Sequence, residues 1–125
     1  YLNLASTALR EALASGAEGA EARMRRAEDH ARRALDADPG LAGAHTILGV
    51  VLSGTGRKPQ AIESWTRAVE LDASEFNALY NLWLELAAAG RREEALRYGR
   101  RFLDTAPPAF FAAERAQIAR YLGAA

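Results

Sequence analysis

The residue types that carry most enzyme chemistry are few in this chain and form no catalytic pattern. The chain contains no cysteine, which excludes disulfides, thiolate zinc sites and a cysteine nucleophile. Of its two histidines, His30 and His45, neither has a second histidine or a carboxylate at the i+4 spacing of a zinc motif. We therefore expect both histidines to be structural or solvated, and we predict no metal site and no cofactor.

The serines and the one glycine-rich segment do not indicate catalysis either. No serine lies in the G-x-S-x-G pattern of a nucleophile elbow. The segment 53–56 reads Ser-Gly-Thr-Gly and is followed by Arg57 and Lys58, a composition shared with phosphate-binding loops. It lacks the G-x-x-x-x-G-K-[ST] order and follows a helical pattern instead of a strand, so we interpret it as a turn between helices. We predict that this protein is not an enzyme.

Charge and hydropathy narrow the class of partner. The 16 basic and 16 acidic residues cancel, which argues against duplex nucleic acid or an anionic membrane as a partner. No apolar run approaches the roughly 18 residues that span a bilayer, so we expect a soluble protein, with the cytoplasm favoured over the periplasm. Tyr1 stands where an initiator Met would, so we expect a processed or partial chain.

The elements of the chain follow from a repeat of 34 residues. Residue types recur at this interval in several sets, namely Pro39/Ala73/Pro107, Ala27/Ala61/Ala95, Leu35/Val69/Leu103, Gly56/Gly90, Leu48/Leu82 and Leu52/Leu86. A period of this length is typical of a helix–turn–helix unit. Apolar residues within each unit recur at helical spacing, and alanine, the commonest residue, favours helix. The sequence therefore predicts an all-α fold.

One unit shows the predicted plan. Apolar spacing predicts helices over about 41–52 and from Pro59 to about Leu71, because proline is tolerated in the first turn of a helix. Glycine after the first helix, at Gly56 and again at Gly90, marks the turn. A last amphipathic helix after Pro107-Pro108 carries Phe111, Ile118 and Leu122 on one stripe, with Phe110 and Tyr121 beside it.

This pattern resembles the tetratricopeptide repeat (TPR) family. The segment 42–75 carries the family's residue types in register, at Leu48, Gly49, Leu52, Gly56, Ala61, Trp65 and Ala68. The segment 76–109 departs from them twice, with Trp83 where the family has a glycine and Gly99 where it has an aromatic residue. Closely packed helices need small residues opposite large ones. We hypothesise that Trp83 fills the space that Gly99 leaves, which keeps the core volume constant.

The resemblance implies a right-handed α-solenoid of about three helix-turn-helix repeats plus a C-terminal capping helix, in a single domain over 1–125. The predicted units are a divergent repeat 1 over about 2–41 with its first helix at about 2–15, repeat 2 over 42–75, repeat 3 over 76–109 and the capping helix over 108–122. In this family such stacks act as protein–protein interaction modules. A peptide or protein segment lies in the concave groove that the first helices line.

The register of the repeats predicts which side chains line that groove. The groove-facing positions include the small residues Gly43, Ser53 and Ala88, and the predicted site residues among them are Thr46, Ile47, Val50, Asn77, Tyr80, Asn81 and Leu84. An asparagine amide both donates and accepts, which suits an extended peptide backbone. Family members that grip a C-terminal carboxylate use Lys and Arg at groove positions, and these positions hold none. We therefore expect a neutral or mildly apolar ligand and not an acidic carboxylate-clamp ligand.

Other interpretations remain open at this stage. The chain is also compatible with an accessory C-terminal or linker domain of a larger multidomain protein, by analogy with bacterial hydrolases, sulfatases among them, that carry such tails. A second alternative is self-association into a homo-oligomer through repeat 1 or the capping helix. The arginines over 91–101 have the acidic residues Glu93, Glu94 and Asp104 among and beside them, and we interpret them as a solvated helix face, not a phosphate site.

Overall fold

The computed structural model describes residues 17–123, and every regular element in that range is an α-helix. The six helices are α1 (Ala17–Ala37), α2 (Ala42–Gly54), α3 (Lys58–Leu71), α4 (Phe76–Ala88), α5 (Arg92–Thr105) and α6 (Ala112–Gly123). Each helix packs against the next one along the chain, and α2 also contacts α4. This stack of helical hairpins confirms the predicted all-α repeat fold. The helix predicted over 2–15 lies outside the described residues.

The core repeats with the period of the sequence. The three alanines of the 34-residue set, Ala27, Ala61 and Ala95, are all fully buried, as expected for residues where helices approach closely. Leucines of the first helices are buried at equivalent positions in both complete hairpins, namely Leu48, Leu52, Leu82 and Leu86. Because equivalent residues are buried in each unit, the 34-residue interval in the sequence corresponds to a packing arrangement that recurs from one unit to the next.

A glycine faces an indole in both complete hairpins. Between α2 and α3, a Cβ atom added at Gly49 would overlap the indole of Trp65. Between α4 and α5 the two residue types exchange helices, and a Cβ atom at Gly99 would lie 3.1 Å from Trp83 Cδ1. Both indoles are nearly fully buried. The predicted pairing of Trp83 with Gly99 is confirmed.

Left-handed glycines end the first helix of each hairpin. Gly56 has φ 81° and Gly90 has φ 75°, a backbone region that glycine enters without steric cost. The N–H of Arg57 donates to the Leu52 carbonyl at 2.8 Å, and that of Arg91 to the Leu86 carbonyl at 3.0 Å. These bonds close the helix ends as a Schellman motif does. The predicted turn is therefore correct, although α2 continues to Gly54, beyond the predicted end at 52.

Helix α1 departs from the plan of the later repeats. By the 34-residue interval, position 22 is equivalent to Gly56 and Gly90, yet it holds alanine. α1 begins at Ala17 and runs through this position to Ala37 without a turn. Alanine, glutamate and arginine, which dominate this stretch, are strong helix formers. No glycine in this stretch adopts positive φ, so the helix continues where the later repeats reverse direction.

Helix α6 covers the end of the described stack. It begins at Ala112, not at 108 as predicted, because the chain first makes a turn in which the Phe111 N–H donates to the Pro107 carbonyl at 3.2 Å. Ile118 is fully buried, and the Phe111 ring lies 5.6 Å from the ring of Phe76. Phe110 is 81% exposed and takes no part in this packing.

Candidate functional site

Two hydroxyl–carboxylate hydrogen bonds join α2 to the first helix of the next hairpin, one at Glu75, which directly precedes α4, and one within α4. Thr46 Oγ1 donates to Glu75 Oε2 at 2.8 Å, and Ser53 Oγ donates to Glu85 Oε1 at 2.7 Å. Each bond connects residues about 30 positions apart and involves partly buried groups. Hydrogen bonds to charged acceptors are stronger than neutral ones. These two bonds therefore fix the register between α2 and α4.

A depression of about 260 Å³ opens beside the second of these bonds. We call it the α2–α4 groove, and it is lined by Met24, Val50, Ser53, Gly54, Trp65, Asn81, Leu84 and Glu85. Three of the predicted site residues, Val50, Asn81 and Leu84, are thus brought together. Leu84 is 41% exposed, a large apolar side chain left partly open to solvent.

The other four predicted site residues lie outside the lining of this groove. Thr46 is buried in the seam with its hydroxyl bonded, and Ile47 packs half-buried against the core. Tyr80 also packs against the core, and its hydroxyl donates to Gln117 Oε1 of α6 at 2.6 Å. Asn77 is exposed one helical turn before Asn81. The predicted stripe is therefore divided between a structural seam and an open surface.

The groove also contains residues that were not predicted to line it. Glu85 lies four residues after Asn81 and directly after Leu84, so helical spacing alone places it on the same side of α4. Met24 and Trp65 reach the groove from α1 and α3. No local pattern in the sequence predicts that these two residues line the groove, because their position depends on how four helices meet.

Glu85 is the most distinctive of these residues. Its side chain is only 12% exposed, and its Oε2 atom lies 3.5 Å from Lys58 Nζ. The Lys58 side chain is itself 60% exposed, and it lies at the start of α3. Among the described residues that line the α2–α4 groove, Glu85 is the one that carries a charge.

The arginine-rich face of α5 has a different character. A depression on this face is lined by α5 residues of both charge signs, among them Arg100 and Asp104. Arg91 pairs with Glu94 at 2.8 Å, and the Arg97 guanidinium lies 5.3 Å from the centre of the Tyr98 ring. This mixture of charges and paired arginines matches a solvated helix face.

The histidines and the acidic residues give no metal centre within 17–123. His45 Nε2 lies 3.1 Å from the Pro39 carbonyl oxygen, so its Nε2-protonated form closes the loop between α1 and α2. No three or more His, Asp or Glu side chains in this range are placed to hold a metal ion. None of the helices α1–α6 combines the length and the apolar character needed to cross a membrane.

Comparison with known proteins supports the repeat fold. No protein-family model matches the chain, and no curated protein matches it. Among solved structures, the crystal structure of MamA is similar over 65% of this chain and 47% of its own, with a TM-score of 0.62 and 26% identity. This chain has a TPR-like helical-repeat fold. It spans about half the length of MamA.

Proposed function

We propose that this protein is a non-catalytic protein-interaction module that holds a peptide or protein segment in the α2–α4 groove. The observation that carries the proposal is an open, mainly apolar depression between the first helices of two consecutive repeats. Apolar concave sites with a few polar groups are typical of ligand binding. The similarity of the described repeats to a TPR-like stack supports the same role.

Each part of the groove has a proposed contribution. Val50, Leu84 and Met24 provide apolar contact area. The Asn81 amide lies among them and can donate to and accept from a peptide backbone. Asn77 lies one turn away on the exposed surface of α4 and extends the row of amides. Thr46, Ile47 and Tyr80 support the wall from inside, through the seam, the core and α6.

The size of the groove limits the affinity. A depression of about 260 Å³ accommodates only a few side chains. Association also costs rotational and translational freedom, and only the surplus of contact energy is measured as affinity. We therefore expect a single short peptide to bind with a Kd of about 1 μM or weaker, roughly −8 kcal/mol at best.

A peptide-display selection tests this proposal. A random 12-residue library is panned against the wild-type protein, and each recovered peptide is measured against Asn81→Ala and Leu84→Ala by fluorescence anisotropy. We expect each substitution to weaken binding about 5-fold or more, as for contacts worth about 1 kcal/mol. Gln60→Ala, an exposed amide on α3 outside the groove, is the matched control and should leave binding unchanged.

Two outcomes would contradict the proposal. One is that no peptide is recovered. The other is that all recovered peptides bind the groove variants as well as the wild type. Thermal melts of each variant show whether a loss of binding reflects a loss of fold, since Asn81 and Leu84 are not fully buried and their truncation should cost little stability.

The other hypotheses drawn from the sequence stay predictions. Self-association is tested by sedimentation at two concentrations, with a rise in apparent mass as the supporting result. The role as an accessory domain is tested by the gene sequence on either side of this segment. Neither result changes the test of the α2–α4 groove.

A further inference from the structure

We propose that the α2–α4 groove selects a segment in which a lysine or arginine side chain lies next to apolar residues, with Glu85 as its recognition group. This inference rests on the proposed function and names the chemistry of the partner. It starts from a carboxylate that is mostly buried beside an apolar surface. Such a group is costly to leave unpaired, so its present partners decide whether it can accept another.

The two oxygens of Glu85 are satisfied unequally. Oε1 accepts a hydrogen bond of 2.7 Å from the Ser53 hydroxyl. Within residues 17–123, the partner of Oε2 is Lys58 Nζ at 3.5 Å, beyond the 2.7–2.9 Å typical of a charge-assisted hydrogen bond. Ser53 therefore orients the carboxylate, while Oε2 can accept a stronger partner.

Lys58 is a weak internal partner for two physical reasons. Its side chain is 60% exposed, and ion pairs of exposed side chains contribute little. Lys58 is also the first residue of α3, where the helix dipole disfavours a positive charge. A cationic side chain that enters from the groove can therefore replace Lys58 at Oε2 with little loss.

The rest of the groove fits the remainder of such a ligand. Val50, Leu84 and Met24 offer apolar surface to the aliphatic stem of a lysine or arginine and to its neighbours, because these stems pack on apolar surfaces. No described lining residue carries a positive charge, and Glu85 has only the exposed Lys58 at 3.5 Å to offset its own charge, so an acidic side chain in the groove would be repelled by Glu85. This refines the ligand expected from the sequence from neutral or mildly apolar to apolar with one basic side chain.

The experiment uses the full chain and peptides recovered from the random 12-residue library. Lysine or arginine should be enriched at a fixed spacing from an apolar residue in peptides selected on the wild type. Glu85→Gln keeps the shape and an acceptor for Ser53, and it should weaken such a peptide about 5- to 30-fold, as expected for a charge-assisted hydrogen bond. Replacing the basic residue by norleucine should weaken wild-type binding by a similar factor and leave Glu85→Gln binding unchanged.

Lys58→Ala should change the peptide affinity in the opposite direction to Glu85→Gln. Removal of the internal partner should strengthen binding of the same peptide about 2- to 5-fold, in line with a weak exposed ion pair. A misfolded variant cannot bind more tightly, so this gain distinguishes recognition from a structural effect. If Glu85→Gln alters the thermal melt, the norleucine peptide and Lys58→Ala decide the matter.

The failure of this inference can be told from the failure of the proposed function. One outcome would overturn only the role of Glu85. In that outcome the recovered peptides need Leu84 and Asn81 for binding, but they are not enriched in lysine or arginine and bind Glu85→Gln as tightly as the wild type. The groove would then remain the binding site. Peptides that depend on none of these residues overturn both. Weaker or unchanged binding by Lys58→Ala contradicts the proposed competition for Oε2.

Discussion

The exchange of glycine and tryptophan between the two complete hairpins shows how volume is distributed at the level of single residues. Gly49 leaves room for Trp65, and Gly99 leaves room for Trp83, so each helix pair buries one indole with the large residue on the opposite helix. The two indoles are not equivalent in their polar contacts. Trp65 Nε1 donates to the Thr46 carbonyl at 3.1 Å, whereas Trp83 Nε1 is buried without a hydrogen-bond partner among the described residues.

The two glycines should respond differently to the same substitution. Gly49→Ala places a methyl group inside the Trp65 indole and should destabilise the protein by about 1–3 kcal/mol through overpacking. At Gly99 the nearest atoms, of Trp83 and Ile118, lie at 3.1 Å. Gly99→Ala therefore requires only a small shift, partly offset by a gain in helix propensity of about 1 kcal/mol. Urea unfolding of both variants provides the measurement.

Gly99→Phe extends this comparison. Its ring needs the volume that Trp83 occupies, so it should destabilise by about 1–3 kcal/mol, like other overpacked cores. Equal stabilities for Gly49→Ala and Gly99→Ala would contradict the difference in spacing. A neutral Gly99→Phe would show that Trp83 does not depend on the space at Gly99.

At the level of elements, a single carboxylate ties α1 to the turn between α2 and α3. Glu28 Oε1 accepts from Arg57 Nη2 at 2.6 Å, and its Oε2 accepts from Arg57 Nη1 at 3.1 Å. Arg32, one turn later on α1, donates to the same carboxylate at 2.9 Å. The hydrogen bonds from Arg57 are the main reason that the pKa of Glu28 lies below its ordinary value.

This lowered pKa predicts a pH-dependent contribution to stability. A carboxyl group whose pKa is lower in the folded state stabilises the fold above its ordinary pKa of about 4.3. That contribution is lost as the pH falls through the lower folded-state value. Glu28→Gln should therefore be less stable than the wild type at pH 7, and the difference should shrink as the pH falls below about 4. Thermal melts across this range measure it.

The matched control is Glu63→Gln, an exposed carboxylate on α3 with no ion pair in the described part of the chain. It should show little difference from the wild type at any pH, as surface substitutions usually do. A constant difference for Glu28→Gln from pH 7 to pH 2 would mean that the carboxylate acts through shape and not through charge.

At the level of the whole molecule, most contacts of the described stack join helices that follow one another along the chain, and α2 also contacts α4. α6 packs against α5, and its Tyr121 ring lies 5.5 Å from the indole of Trp83. Stability in such arrays is a sum of unit and interface contributions. The last helix therefore protects the hairpin before it, and through that hairpin the wall of the groove that Tyr80 supports.

Two side-chain substitutions by alanine at this end of the stack should affect the free energy of unfolding to very different extents. Ile118 is fully buried, so Ile118→Ala should lower the free energy of unfolding by about 2–5 kcal/mol. Phe110 is 81% exposed, so Phe110→Ala removes more atoms yet should change stability by less than about 0.5 kcal/mol. Urea unfolding followed by tryptophan fluorescence measures both. A large loss in Phe110→Ala would place that ring in a contact that the fold does not show.

Features that recur locally could be predicted from the sequence alone. The 34-residue interval, the helical spacing of leucines and the turn glycines at 56 and 90 follow from propensity and periodicity. The pairing of Trp83 with Gly99 was predicted from two departures from the TPR pattern and from the need to keep the core volume constant. These signals act within a hairpin or recur between hairpins. They predicted the all-α repeat fold and the bounds of α2 and α3 to within a few residues.

Contacts between hairpins decided the rest. Thr46 and Val50 are one turn apart on α2. Thr46 is buried and bonded to Glu75, whereas Val50 lines the α2–α4 groove. Helical periodicity places both residues on the same face of α2. Whether each one is buried depends on which part of the protein packs against it. The bond from Tyr80 to Gln117 joins residues 37 positions apart. Periodicity describes which side chains share a helix face, but only the packing of one helix on another determines which of them remain open to a partner.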